Sequence, residues 1–319
     1  QSLYLFEMKV ALFAGLGLAA ASNQEEFVAY VKEFNKVYTS EELFGRFQNF
    51  VDNKKVIDEH NAKNLGWTMG VNAYTDLTRK EFSDLYLGYK ARSNEYLRNK
   101  NLHVAPANQV LASSLDWRTS GAVTPIKDQG QCGSCWAFST TGSVEGANKI
   151  KSGNLVSLAE QQLVDCAGSS GNQGCNGGLM DDAFEYIIKN NGIGSESSYP
   201  YTARDGKCKQ VSSVATVSKY TDVKKNDETG LMTAINLQPV SVAVDAESWQ
   251  TYRSGVMTGF CGKSLDHGVL LVGYGTEGSN DYWIVKNSWG TSWGEQGYIR
   301  LIRGKNQCGI AEAASYPTA

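Results

Sequence analysis

The sequence predicts an α+β chain: a polar, helix-forming N-terminal segment, then a helical half and a strand half that leave a cleft between two lobes. Three observations predict it. Residues 23–64 contain no proline and glycine only at 45, so a helical N-terminal segment is favoured. From Cys135 to Lys151 there is again no proline and little β-branching, and Gly153 supplies a stop. After Ser195 the texture changes to short β-rich stretches spaced by glycine turns. With 319 residues the chain can hold two compact units and bury a substantial core.

Met8-Lys9, the apolar run Val10 to Ala21 and the small residues Ala19-Ala20-Ala21-Ser22 have the order of a secretory signal, with cleavage expected near Ala21. About twelve apolar residues are too few to span a bilayer. Residues 1–21 are therefore read as upstream residues and signal, 22–110 as a separate N-terminal unit and 111–319 as the main one. Within the second unit, Glu42, Arg46, Phe50, Asn53, Ile57 and Asn61 fall at steps of three or four and so share one helix face. An amphipathic helix that merely packs would show the same spacing. From Lys90 to Ser114 periodicity is lost, and the stretch reads as an extended, cleavable linker.

In the main unit Cys135 to Lys151 is the first helix. Ser157-Leu-Ala-Glu160 has the pattern of a capping box that starts a second, running toward Asp165. Leu179 to Asn190, closed by Gly192, reads as the third. Val214 to Tyr220, Ser241 to Asp245, His267 to Tyr274, Asp281 to Lys286 and Tyr298 to Arg303 are the predicted strands.

Thirty basic residues against 33 acidic ones give a net charge of −3, which argues against nucleic acid or an anionic membrane as partner. Seven cysteines, at 132, 135, 166, 175, 208, 261 and 308, suit three disulfides and one free thiol outside the reducing cytosol. Spacing alone leaves all 15 pairings of six cysteines open. No Asn-x-Ser/Thr sequon is present, so glycan-directed sorting finds no support.

Cys135 opens its helix, where unpaired N–H groups and the positive end of the macrodipole favour thiolate. With His60 and His103 in the N-terminal unit, His267 is the only histidine left to serve as its base. Asn287, at the end of a predicted strand, would accept from the other ring nitrogen. Gln129 would join the Cys135 backbone N–H in stabilising an oxyanion. A lone cysteine or histidine is more often structural, and Gln129 or Asn287 alone an ordinary turn residue. Only the four together mark a catalytic site. The paired glycines Gly177 and Gly178 would let an extended peptide pair with their edge, or simply form a turn.

Gln129-Gly-Gln-Cys-Gly-Ser-Cys135-Trp136, Asp266-His267-Gly and Lys286-Asn287-Ser-Trp289-Gly resemble the papain family of cysteine proteases, with histidine and asparagine about 130 and 150 residues after the nucleophile. The six helical positions match that family's propeptide pattern, and Gly70-Val-Asn72-Ala-Tyr74-Thr-Asp76 resembles its second motif, with tyrosine where phenylalanine is usual. A buried tyrosine there would need a partner for its hydroxyl. The resemblance implies a two-lobed fold, a helical lobe beside an antiparallel barrel-like lobe, and a propeptide that inhibits in cis by crossing the cleft backwards. It implies disulfides Cys132–Cys175, Cys166–Cys208 and Cys261–Cys308. It further implies that Trp289 shields the histidine–asparagine bond and that Gly178 binds substrate backbone. Leu179, Met180, Ala243, Leu265 and Ala313 would line the pocket for the side chain two before the cut, beside Gly177 and Asp266. Ala313, where some relatives carry an acid, implies hydrophobic or aromatic preference of the cathepsin L kind.

The expectation is thus a monomeric cysteine endopeptidase, secreted or lysosomal. It is made as a zymogen released by acid through propeptide carboxylates such as Asp76, acts on proteins and peptides, and uses neither cofactor nor metal. Cystatin-type inhibitors are expected partners. Two other classes compete. Cys132-Gly-Ser-Cys135 is formally a redox C-x-x-C, although an odd cysteine count and no βαβ pattern count against it. A silent binding protein would usually have lost Cys135, His267 or Asn287. Peptide ligation through the same acyl-enzyme is left open by these residues.

Overall fold

The computed structural model describes residues 18–91, 101–106 and 109–319. Of the expected signal, Met8 to Gly17 lie outside the described residues, as do 92–100 and 107–108 of the linker. In chain order, α1 is Leu18–Glu33, α2 Ser40–Asn61, β1 Trp67–Met69, α3 Arg79–Tyr86 and β2 Leu115–Asp116. Then come α4 (Cys135–Ser152), α5 (Glu160–Cys166), α6 (Met180–Lys189), β3 (Lys219–Val223), α7 (Glu228–Ile235), β4 (Val240–Val244) and β5 (Tyr252–Met257). The chain closes with β6 (His267–Glu277), β7 (Asn280–Lys286), β8 (Tyr298–Ile302) and β9 (Ala314–Thr318). No helix among the described residues is long and apolar enough to cross a membrane.

The N-terminal segment expected as one helical stretch is broken in two. Asn35 takes a positive φ of 49°, and Thr39 caps α2 in a reciprocal box with Glu42. Glu42 is therefore spent on the Thr39 N–H at 2.9 Å. The other polar members of the spaced set reach backbone carbonyls between residues 69 and 77: Arg46 donates to that of Asp76, Asn53 to those of Thr75 and Leu77, and Asn61 to that of Met69. Phe50 and Ile57 are buried, Phe50 in a cluster with Phe27, Tyr30, Val31, Tyr38 and Phe47. Asp76 accepts from Tyr30, Tyr38 and Lys36, so it holds this segment to itself.

The strands form one path, β1-β5-β8-β7-β6-β4-β9-β3, with β2 beside β6. Among the strand pairs of the described residues only β5–β8 is parallel. One end of the path, β1, belongs to the N-terminal segment: Trp67 pairs with Gly255 of β5, and Gly70 N–H donates to the Thr251 carbonyl. One core lies under the sheet around Trp249, Trp283, Trp289 and Trp293. A second lies among α4, α5 and α6. The helix α4 stands between the two, with Ser139 Oγ donating to the Val269 carbonyl of β6.

Two local expectations are corrected. Ser157 does not cap α5. That helix starts after Ala159 with no side-chain cap, because the Glu160 carboxylate is buried and bound to Lys127 and Thr141. The strand expected at Val214 to Tyr220 lies at Lys219–Val223. Residue 215 makes only an isolated bridge to Ile193, since its side chain fills the helical core.

Candidate active site

The backbone before α4 is fixed so that the helix begins at a cysteine. Gly133 N–H donates to the Cys175 carbonyl at 2.9 Å, and a Cβ on Gly133 would meet that oxygen at 2.5 Å. The Cys132–Cys175 disulfide ties the same loops, while Cys166 pairs with Cys208 and Cys261 with Cys308. Cys135 is the free cysteine and is buried. No side chain caps α4, so its first N–H groups remain available to the sulfur. Cys135 Sγ accepts from Gly268 N–H at 3.3 Å, and also from the N–H groups of Trp136 and Gly88.

The β6–β7 hairpin brings His267 and Asn287 together. With Leu270 opposite Lys286, the histidine that opens β6 faces the asparagine that follows β7. His267 Nε2 lies 2.8 Å from Asn287 Oδ1. An amide oxygen only accepts, so Nε2 carries the proton, and Oδ1 is further fixed by Ser288 N–H at 2.8 Å. His267 Nδ1 is left buried with no hydrogen-bond partner, and its neighbour Gly268 is the residue that touches the sulfur. Trp289 stacks on the imidazole at 4.6 Å and 29° and is itself 1% exposed. Water therefore does not reach the histidine–asparagine bond.

Gln129 is held by its backbone to Ser288 and by its Oε1 to Ser288 Oγ at 2.7 Å. Its Nε2 donates to the carbonyls of Cys132 at 2.9 Å and Tyr86 at 3.0 Å. The hydrogen expected to face an oxyanion is thus occupied by a carbonyl of the N-terminal segment.

That segment fills the cleft from Tyr86 to Lys90. Gly178 N–H donates to the Gly88 carbonyl at 2.8 Å, Lys90 N–H to the Gly178 carbonyl at 3.1 Å, and Tyr89 N–H to the Asp266 carbonyl at 2.8 Å. Tyr89 bridges Gly178 in the parallel sense. Its side chain, 4% exposed, belongs to one buried cluster with Leu179, Met180 and Ala243, against which Leu265 and Ala313 pack. At Gly177, where φ is +113°, a Cβ would meet the Gly88 carbonyl at 2.5 Å. In the sequence this stretch carries one signal, a glycine at 88 just before an otherwise featureless linker.

Tyr74, the departure noted in the second motif, has its partner: the hydroxyl donates to the Trp289 carbonyl at 3.1 Å. With Phe82 and Tyr86 it forms an aromatic patch that meets Trp289 edge-on.

Closure changes the electrostatics expected from residue types. Burial pushes the Cys135 thiol up to about 11 against its three N–H donors. It likewise pushes His267 down to about 4, with the Asn287 bond opposing. The closed site therefore holds a neutral thiol and a neutral imidazole, although the helix start at Cys135 by itself favours thiolate. Removing the cover reverses the dominant cause in both groups. The thiol in the closed chain should then react with iodoacetamide at neutral pH at least on the order of 100-fold more slowly than after removal of residues 86–90. Equal rates, read by mass spectrometry, would show that closure does not protect it.

Behind α4 lies a buried charge cluster that the sequence reading missed. Lys127 bridges Glu145 and Glu160, and Lys286 donates to the carbonyl and hydroxyl of Thr124. Lys286 directly precedes Asn287, so its anchoring fixes the backbone that carries the amide. Only a Lys-Asn dipeptide marks this in sequence. No group of three or more His, Cys, Asp or Glu among the described residues could hold a metal.

Comparison with known proteins agrees with this geometry. Residues 111–318 match the model of the papain family cysteine protease, and residues 27–82 that of the cathepsin propeptide inhibitor domain (I29). The chain is 52% identical over 295 residues to the probable cysteine protease RD21B of Arabidopsis thaliana, covering 90% of this chain and 63% of that protein. It thus spans under two thirds of the length of the first curated relatives it matches. Among solved structures it resembles digestive procathepsin L 3 of the Tenebrio molitor larval midgut, with a TM-score of 0.86 and 45% identity over 93% of this chain and 99% of that one. The recombinant stem bromelain precursor gives a TM-score of 0.86 and 41% identity over 93% and 99%.

Proposed function

This chain belongs to the papain family of cysteine proteases and carries that family's inhibitory propeptide; from that premise we propose a self-inhibited endopeptidase that prefers a hydrophobic or aromatic side chain two residues before the cut. Cys135 is its nucleophile and His267 the base that takes the thiol proton and returns it to the leaving amine. Asn287 orients the imidazole through Nε2, which leaves Nδ1 for the sulfur. Gln129 Nε2 stabilises the oxyanion once the Tyr86 carbonyl has left it. The acyl-enzyme formed on sulfur is then hydrolysed by water.

The observation that carries this reading is Tyr89. The propeptide places an aromatic ring in the apolar cluster of Leu179, Met180 and Ala243 while its backbone pairs with Gly178. A substrate residue of similar shape fits the same place. Ala313 presents no carboxylate there, so a basic side chain would be buried without a partner. The unit that starts near Leu111 is the released enzyme. Its setting is the lysosome, a vacuole or the cell exterior, where three disulfides persist.

The test is labelling of acid-processed protein with peptidyl epoxides that differ only at the residue before the warhead. A single adduct on Cys135, formed at least about tenfold faster with phenylalanine or leucine than with arginine, is expected. Faster labelling by the arginine compound would overturn the pocket assignment, and an adduct elsewhere would overturn the nucleophile.

Acid release has its physical basis inside the propeptide. Hydrogen bonds from the Thr39 backbone and side chain hold the Glu42 carboxyl below its ordinary value. For Glu81 burial works upward, but Thr78 and Arg46 outweigh it and hold that carboxyl low as well. Groups lowered on folding stabilise above the ordinary carboxylate range and lose that contribution as pH falls through the lowered values. Acid therefore loosens the caps of α2 and α3.

A further inference from the structure

Beyond the cleft, the chain's own linker is docked on the far end of the sheet. Asp222 in edge strand β3 donates its N–H to the Asn101 carbonyl at 2.9 Å, and its carbonyl accepts from His103 N–H at 2.7 Å. Leu102 bridges Asp222 in the parallel sense. This is strand addition, with main-chain bonds giving affinity and the alternate side chain giving selectivity. Leu102 is 55% exposed and Val104 82% exposed, so the apolar neighbours contribute little and His103 is the side chain that is received.

The receiving pocket is polar and its hydrogen-bond directions are determined. His103 Nε2 lies 2.7 Å from Thr233 Oγ1, whose own hydrogen goes to the Gly230 carbonyl at 2.8 Å. Thr233 must therefore accept, and Nε2 carries the proton. His103 Nδ1 lies 2.9 Å from the Tyr316 hydroxyl. In a neutral ring with Nε2 protonated, Nδ1 has no hydrogen, so it accepts and Tyr316 donates. The Tyr316 ring also meets the imidazole edge-on at 5.7 Å. A neutral imidazole in one tautomer satisfies this pattern. An alkyl side chain leaves two hydroxyl groups unmatched, and an imidazolium turns a proton toward the Tyr316 O–H.

We propose that this edge of the sheet, with the pocket between Thr233 and Tyr316, is a second peptide-docking site of the enzyme, which takes an extended segment bearing a neutral imidazole and is first occupied by residues 101–103 of the chain itself. It is separate from the cleft, since its contacts are to β3, α7 and β9 and none is to Cys135, His267 or Gly178. The facing titratable groups are Tyr316 and the α7 N-cap Asp227. Asp227 favours the charged imidazole, but burial is the larger cause and lowers His103 from its ordinary value of 6.5. A group lowered on docking supports the docked state above that ordinary value and loses this support as pH falls from it through the lowered one. Acid therefore vacates the site.

The test needs no proteolysis. Amide hydrogen exchange is followed in full-length Cys135→Ala protein, corrected for the intrinsic effect of pH, at the Asp222 and His103 amides. Both should be protected at neutral pH and lose about tenfold or more at about pH 5, as expected for a lost local contact. His103→Ala should lose protection of the Asp222 amide at both pH values, and His103→Gln, which offers a donor and an acceptor but does not titrate, should keep it at both. A synthetic peptide of residues 100–106, added to the His103→Ala protein, should restore protection of the Asp222 amide, whereas the same peptide with alanine at 103 should not. Protection in the His103→Ala protein equal to that of the parent, or no restoration by the histidine peptide, would overturn the proposal. Unchanged exchange in β6 shows that each variant is folded.

Discussion

A full-length chain carrying Gly88→Ala is expected to cleave peptides at neutral pH without acidification. Gly88 passes so close to Gly133 that a Cβ would lie 2.0 Å from the Gly133 carbonyl oxygen and 2.7 Å from its Cα. Neither partner is a flexible side-chain end. Gly133 is itself fixed by its bond to the Cys175 carbonyl and by the disulfide next to it, so the propeptide must move. Movement breaks the bonds from Gly178 N–H to the Gly88 carbonyl and from Lys90 N–H to the Gly178 carbonyl, along with the Gly88 N–H contact to sulfur. At about 1 kcal/mol each, the loss is roughly 3 kcal/mol, or on the order of 100-fold in occupancy of the cleft. Initial rates on a peptide substrate, read while gels still show uncleaved chain, would rise by that factor. The α2 and β1 contacts should persist, so the melting temperature should barely change. A variant as inert as the parent, with its chain intact, would mean that the 86–90 stretch is not what closes the site.

The difference between Gly88 and the residues around Cys135 shows what a sequence makes legible. Local chemistry was readable: a helix opening on cysteine, one eligible histidine, and an asparagine at a strand end. Each depends on short-range order, and α4, β6 and β7 were placed within a few residues. The strands that went unread, β1, β2, β5 and β9, carry Gly255 at a φ of +93°, a proline at 317, or only two or three residues, and exist because a partner strand holds them. Tertiary pairing outweighed their propensity. The same reason hid the charge cluster: Lys127, Glu145, Glu160 and Lys286 are far apart in sequence and meet only after the two lobes close around α4. The misread cap at Ser157 belongs here too, since Glu160 matched a local pattern but was recruited by a distant lysine. What the propeptide does in the cleft could not be read from residues 86–90 alone, because its meaning is steric and resides in the carbonyl of Gly133.

Replacement of Cys135 by alanine should lower turnover by roughly 10⁴- to 10⁶-fold, the range seen when a covalent nucleophile is removed. It should leave the fold and the propeptide in place. The sulfur accepts three backbone N–H contacts, but it is small and buried, and the main-chain bonds of the 86–90 stretch run to Gly178 and Asp266. Asn287→Ala tests a different role and should be milder. It removes one hydrogen bond to an imidazole that becomes charged during reaction, worth about 1.5–3 kcal/mol and so on the order of 10- to 100-fold in rate. Trp289 still stacks on the ring, which keeps part of its orientation. The loss should fall on kcat more than on KM, because Asn287 bonds the imidazole and not the substrate. Alanine at 135 with turnover within tenfold of the parent would end the covalent mechanism. An Asn287 variant whose loss lay wholly in KM would remove the orienting role and leave the asparagine as a structural contact.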